Sequence, residues 1–392
     1  MGRATIETTP SGRDRGPAAA ERPGRISFQG GGPFYAELKE RVAALLEEPG
    51  RARRAQLRLY AKSAFMLAWL VASWVALVFV AGTWWQAGLL VLSLGLALAG
   101  VAFNIVHDAN HGSFSPHRRL NRAMSWSMDL IGASSYVWRI KHNTAHHTFT
   151  NISGADSDID SMPFARFAPD QPRRAFHRFQ HVYMWALYGL FAIKWHTVGD
   201  FGYLRDGRIG DVPVRWPRGR ELAGFWLFKA AFLAWAIVVP LLLHPAWQVV
   251  LAFLATSFVL ALTLAVTFQL AHCLEEADFS SVEGMAAAGP TEWARHQIET
   301  TVDFAPHSRL LTWYLGGLNF QVEHHLFSRV CHTHYPAMAE VVREVCARHG
   351  IRHQSHPRLG SALASHARWL REMGTKPAVR ATGIRTDGGL PE

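Results

Sequence analysis

The sequence predicts an all-α membrane protein, with four transmembrane helices in two hairpins and a cytosolic helical cap that holds a histidine-rich metal site. Three observations predict it. The apolar residues are gathered into long blocks, four of which approach or reach the ~20 residues that cross a bilayer. The blocks fall into two pairs, each joined by a very short turn. Histidines then gather at or near the ends of these blocks, in HDANH at 107–111, KHNTAHHTFTN at 141–151, His272 and QVEHH at 321–325.

Residues 1–33 are rich in Gly, Pro, Arg and Ala with little to bury, and read as a disordered N-terminal tail. Residues 34–374 make the main domain. It opens on FYAELKERVAALLEEPGRARRAQLRL, which predicts an amphipathic helix, a break at Pro49-Gly50 and a basic approach to the membrane. The first span covers about 64–81 and the second about 87–106, joined through Trp84 and Trp85, rings that favour a lipid–water interface. HVYMWALYGLFAIKW at 181–195 is apolar but shorter than a span, so it reads as an interfacial or re-entrant helix. A fifth crossing there would put the histidines of 107–147 and those of 272–325 on opposite sides. The third span covers about 222–243 and the fourth about 246–271, parted only by His244 and Pro245. As one helix the fourth would run ~39 Å against a hydrocarbon core of ~30 Å, which lifts its last turns and His272 out of the lipid. The mixed stretch from Cys273 to Met373 predicts a helical cap, and 375–392 a disordered C-terminal tail.

The net charge is +10 and Arg far outnumbers Lys, a balance that raises the question of a nucleic-acid partner. The basic residues flank the apolar blocks instead, as loops beside anionic lipid do, so membrane lipid is expected and no nucleic acid. The 112–221 segment carries fifteen Lys and Arg and the short turns none, while Arg51, Arg53, Arg54, Arg58 and Lys62 precede the first span. By the positive-inside rule both termini and the middle segment face the cytosol, in a multi-pass protein expected in a bacterial inner membrane. Lys229, near the cytosolic end of the third span, reads as a snorkelling cation without a functional role. Cys273, Cys331 and Cys346 show no CxxC spacing and read as reduced thiols. The first residues lack the apolar core of a secretory signal, and Gly2 makes no strong myristoylation case.

Spacing of i,i+4 inside HDANH and HNTAHH puts two imidazoles on one helical face. Neutral imidazole binds Zn, Cu, Fe or Ni, so the residue type alone does not name the metal. A structural zinc takes four ligands and a catalytic zinc three plus water, so eight histidines exceed one zinc and suit two metals with open positions. HDANH lacks the Glu directly after its first His that a zinc protease uses as base. The Glu-x-x-His pairs of soluble di-iron bundles are absent as well. What remains is an all-histidine di-metal centre at a membrane face, where iron fits redox chemistry on an apolar substrate. Asp108, Asn110, Asn143, Asn151, Asp156, Asp158, Asp160, Asn319 and Glu323 are candidates to orient imidazoles through their second nitrogens, with Asp108 and Glu323 favoured. Capping and turn formation explain the GADSDID group equally well. His117, His177, His181, His196, His244, His296, His332 and His334 lack such context and read as surface or interfacial side chains.

HDANH at 107–111, HNTAHH at 142–147 and QVEHH at 321–325 resemble the three histidine boxes of membrane fatty acid desaturases, in the QxxHH form of the front-end, acyl-lipid and linoleoyl-CoA-like branch. SYVWRIKHNTAHHTFTNISGADSDID and TWYLGGLNFQVEHHLFSRVCHTHYP resemble bacterial members of that branch, and the resemblance covers about 60–355. It implies a di-iron centre of two Fe ions with O2 as co-substrate, ligated by His107, His111, His142, His146, His147, His324 and His325. His272 matches the extra histidine that ends the fourth span. Gln321 stands where stearoyl-CoA desaturases have another histidine, so it is expected to support a ligand, not to coordinate. Ser328 departs from the proline of many relatives, which bears on a turn and not on the ligands. No HPGG haem motif occurs, so the resemblance implies an external electron donor: a ferredoxin, flavodoxin or b5-type carrier with an NAD(P)H reductase. The implied substrate is a fatty acyl chain bound to CoA, carrier protein or lipid, desaturated to a cis double bond in a dry tunnel. Trp138, Trp313 and Tyr314 are candidates to line that tunnel, with core packing as the alternative.

Two other functions compete. A fatty acyl or lipid hydroxylase would use the same centre and return OH to the carbon. A divalent-metal transporter would use the histidines as a relay, and should place them near mid-span and on both sides.

Overall fold

The structure, a computed structural model, describes residues 26–378. Most of both expected tails, 1–25 and 379–392, lies outside the described residues. Of the N-terminal stretch that is described, Phe28–Gln29 pairs in parallel with Thr291–Glu292, so residues read as tail begin ordered structure several positions earlier than expected. At the other end Thr375, assigned to the tail, is the last residue of a helix.

The chain is mostly helical, and four helices are long and apolar enough to cross a membrane. α1 (Pro33–Leu46) starts on a proline, whose missing N–H costs nothing at that position. After the Pro49-Gly50 break, α2 (Arg51–Val80) runs as one helix of 30 residues. The basic approach and the first span, expected as separate pieces, are therefore continuous. Nothing in 51–63 breaks a helix, and the arginines there are good helix formers.

α3 (Trp84–His111) begins at a capping box, in which Thr83 Oγ1 accepts from the Gln86 N–H and Gln86 Oε1 accepts from the Thr83 N–H. It ends at Gly112, whose φ of 77° closes the helix just after the first histidine box. α4 (Arg220–Leu241) and α5 (Ala246–His272) follow, parted by a short turn through Pro245. All four spans lie within a few residues of the expected positions, except that α2 and α3 each extend further at the end nearest the histidines.

Burial separates the roles of the spans. The apolar stretch of α3 is 67% buried and that of α4 only 11%, so α3 is the central helix and α4 a peripheral one. Gly95 permits α3 to approach α5 closely: a Cβ there would stand 2.6 Å from the Val259 Cβ. Small residues at such crossings are the rule where lipid leaves only packing to hold helices together. The other faces carry exposed Val71, Phe79, Trp84, Leu227 and Trp247, as lipid contact requires.

The 181–195 segment, expected as one interfacial helix, is two pieces, Gln180–Tyr188 and Phe191–Lys194. The break falls at Gly189-Leu190, where the Phe258 ring of α5 sits so close that a Cβ on Gly189 would lie 2.1 Å from it. Beyond α5 come α6 (Gln321–Leu326), α7 (Tyr335–Arg348) and α8 (Leu359–Thr375). α1 packs on α7 through Phe34, Leu38 and Val42 against Met338, Val342 and Val345, and Val322 of α6 joins the same cluster. α8 closes over the 159–188 region through Trp369, Leu370 and Met373.

Candidate metal centre

Two helix ends and two short helical turns deliver the histidines. At 28 and 27 residues, α3 and α5 are ~40 Å long, about 10 Å more than the hydrocarbon core. Each is therefore long enough to cross a bilayer with a turn or more to spare. A wide π-helical turn, Ala102–Val106, precedes His107, and another, Arg139–His146, carries most of the second box. Such turns bond i to i+5, so His147 joins His146 over His142. His142 and His147 bring their Nε2 atoms to 3.2 Å, and the His142 and His146 rings lie parallel with centroids 5.3 Å apart. The i,i+4 expectation is thus only part of the geometry.

All eight histidines named from the sequence meet in one buried cage. His107, His111, His142 and His324 present ring nitrogens within 4.8 Å of one another, as do His146, His272 and His325. His147, His324 and His325 form a third such group between them. The site is two adjoining sets of donors, not one.

Four outward nitrogens are held, whereas Nδ1 of His107 and of His147 has no partner. Asp156 Oδ2 lies 3.1 Å from His146 Nδ1 and also accepts from the Asn151 N–H at 3.0 Å. Gln297 Oε1 is 2.8 Å from His325 Nδ1, the Tyr335 hydroxyl 3.2 Å from His324 Nδ1, and the Thr300 carbonyl 3.4 Å from His272 Nδ1. Gln321 Nε2 lies 3.2 Å from His272 Nε2, the nitrogen that the Thr300 carbonyl leaves open, so it meets the inner side of that ring and not its outer one.

Several inward nitrogens are not satisfied. His111 Nε2, His324 Nε2, His325 Nε2 and both His107 nitrogens are buried without a hydrogen-bond partner. Orphaned donors or acceptors at this density cost about 1–3 kcal/mol each unless something binds them. Burial, reinforced by neighbouring imidazoles, holds His142, His147, His324 and His325 well below the ordinary histidine value. Fixed outer nitrogens on four rings and free inner ones on several suit metal binding, and the donor set fits two ions.

Of the two favoured carboxylates, Asp108 faces His332 at 2.8 Å, with its other oxygen 3.8 Å from His107 Nδ1. Glu323 turns away from the cage toward His353, 3.9 Å off, so its expected role toward the box imidazoles is not seen. Asn151, one candidate among many, proves central. At φ 57° its Nδ2 donates to the carbonyls of His272, Asp278 and Thr300.

His177, His296, His332 and His334, read as surface or interfacial, are buried instead. His296 Nε2 is 3.0 Å from the Thr150 carbonyl and His177 Nε2 2.8 Å from that of Pro163, contacts between remote segments that spacing does not reveal. Lys229, given no role, bonds Asp200 at 2.7 Å and the Gly132 carbonyl. Gln297, Thr300 and Tyr335 were missed because nothing in their own neighbourhoods marks them.

Trp138 stacks on His142 with centroids 4.2 Å apart. Trp313 and Tyr314 line a cleft of about 980 Å³ together with Phe65, Trp69, Leu96 and Arg358. Phe103 touches Tyr314 and Phe268, and Phe268 touches His142, so aromatic rings connect the cleft wall to the cage.

Comparison with known proteins adds an independent finding. The family model described as fatty acid desaturase matches residues 83–357. The chain is 34% identical over 358 residues to sn-1 linoleoyl-lipid 6-desaturase of Arthrospira platensis, covering 91% of this chain and 97% of that protein. It is 34% identical to the Synechocystis protein of the same name, over 89% of this chain and 98% of the relative. Acyl-lipid (8-3)-desaturase of Physcomitrium patens is also 34% identical, over 91% of this chain and 73% of its own length.

Proposed function

This chain belongs to the fatty acid desaturase family, and from that premise we propose that it is an O2-dependent acyl-lipid desaturase that places a cis double bond in a fatty acyl chain at a di-iron centre. The observation that carries the reading is the convergence of eight histidines from four separate segments into two adjoining donor sets, with several inner nitrogens free and four outer ones held. The relatives' names point to a lipid-bound acyl group.

His107, His111, His142 and His324 would hold one iron and His146, His272 and His325 the other, with His147 between them. A bound iron pair would supply the oxidant, using O2, two external electrons and two protons to take two hydrogens from adjacent methylenes and yield two waters. The chain's own residues do the rest. Asp156, Gln297 and Tyr335 fix the ring orientations, so no donor must be reorganised during turnover. Trp138, Phe103 and Phe268 make the wall beside the cage apolar, which keeps water from the reacting carbons. The cleft beside Trp313 and Tyr314 supports an acyl path that ends near the cage, where holding the chain converts a bimolecular step into an intramolecular one.

Two transmembrane hairpins, α2–α3 and α4–α5, would carry the site on the cytosolic side of a bacterial inner membrane, with 273–374 as the cap. The excess of Lys and Arg in 112–221 supports this orientation. Electrons would come from a ferredoxin, flavodoxin or b5-type carrier. Lipid profiling of a host expressing the chain, with double bonds mapped, tests the proposal. New unsaturation together with about two irons per purified chain is expected. A product heavier by one oxygen would indicate hydroxylation instead, and labile zinc moved across vesicles would indicate transport.

A further inference from the structure

Asp108 stands between His107 and His111 on the last turn of α3 and is 1% exposed. A carboxylate so deep needs partners, since an unpaired buried charge costs several kcal/mol. Its partner is His332, from the short turn after the third box, whose Nδ1 lies 2.8 Å from Asp108 Oδ2. His332 in turn meets Lys62 of α2, with Nζ 2.9 Å from Nε2. Neither His332 nor Lys62 belongs to a histidine box.

The chemistry fixes the protons. A lysine ammonium can only donate, so His332 Nε2 must accept; Nδ1 therefore carries the ring proton and donates to Asp108. The result is a buried chain of ammonium, neutral imidazole and carboxylate whose charges balance. Cys331 lies close enough to Asp108 and His332 to suggest a further metal group, but the Lys62 ammonium already pairs with this imidazole and would repel a cation beside it. Asp108 Oδ1 has no hydrogen bond and faces His107 Nδ1, which has none either. Three segments remote in sequence thus converge on the one acidic side chain between two cage histidines.

We propose that Lys62 and His332 are positioning residues of the metal centre: through Asp108 they set the orientation of the His107–His111 turn and the charge beside it. The inference rests on the di-iron reading above. Lys62 also lies over the Trp313 ring at 5.8 Å, which ties this chain to the wall of the acyl cleft.

Purified full-length protein carrying Lys62→Met, Lys62→Arg, His332→Phe or His332→Asn tests it, read by iron affinity and by the midpoint potential of the loaded centre, with detergent size-exclusion profiles as the control for folding. Loss of an orienting group weakens metal binding by about 10–100-fold, and that loss is expected for Lys62→Met and His332→Phe. Removing the positive charge should also move the midpoint to more negative values. Lys62→Arg restores the cation and should recover both. His332→Asn keeps a donor near the place of Nδ1 and should fall between wild type and His332→Phe. Should Lys62→Met not fold, Lys62→Gln, a donor without the charge, takes its place. Folded variants with wild-type iron affinity and midpoint would overturn the inference alone. A wild-type chain that binds no iron would overturn the di-iron reading with it.

Discussion

Gln297 Oε1 lies 2.8 Å from Nδ1 of His325, and the same oxygen accepts from the Thr150 hydroxyl at 3.0 Å. One amide therefore ties the third box to the end of the second. Replacing Gln297 by Leu removes the acceptor while keeping the volume, and should lower metal affinity or activity by about 10–100-fold. Gln297→Glu retains an acceptor for Nδ1–H and should lose much less. Iron content by elemental analysis, beside product yield, checks this; equal loss in both variants would mean that packing and not the hydrogen bond matters.

Asn151 joins three carbonyls around the cage from a backbone conformation that most residues avoid. Asn151→Ala forfeits these bonds and must still adopt φ 57°, so a cost of about 2–4 kcal/mol is expected. Asn151→Gly forfeits the same bonds without the backbone strain. Thermal unfolding in detergent should rank wild type above Gly and Gly above Ala. Ala as stable as Gly would show that the left-handed backbone carries no strain.

Why some of this was legible and some not follows from particular residues. The spans were legible because lipid demands long unbroken apolar runs, and the cage histidines because each sits at a run's end or in a dense cluster. Gln297, Tyr335 and His332 were not, because their meaning comes from what folds against them across long stretches of sequence. Glu323 shows the converse error. Its place beside His324 implied a role in the cage, yet on a helix consecutive residues point to different faces, and it meets His353 instead. The break at Gly189 was hidden for a similar reason, since the Phe258 ring that imposes it belongs to another helix.

His353 sits between Asp303, 3.3 Å away, and Glu323. Burial alone would lower its pKa, but the two carboxyl groups outweigh burial and raise it from 6.5 to about 10. A histidine whose folded value is raised stabilises the fold fully below about pH 6.5, and loses that contribution as pH climbs through its folded value. Thermal stability should therefore fall between pH 7 and 10 in the wild type. His353→Phe should be less stable at pH 6, and the alkaline loss that remains should come from Glu323, whose carboxyl burial pushes up to about 8. A wild-type profile flat from pH 7 to 10 would remove His353 as the cause.

The two donor sets should also part company in acid. His142 and His324, in the first set, sit well below the ordinary histidine value through burial and neighbouring rings, so protons compete weakly for them. His146, in the second, feels the same burial but is raised above 6.5 by Asp156 and Asp158. A raised value means that a proton displaces metal at higher pH, so the His146, His272 and His325 set should empty first as pH falls below neutral. Metal per chain, measured after dialysis at stepped pH from 8 to 5, should drop from two to one before the second ion leaves. Asp156→Asn removes the charge that favours the proton. It should narrow the gap between the two losses, even though the amide orients His146 less well. A single concerted release in the wild type would mean that the sets bind as one unit, and that Asp156 does not distinguish them.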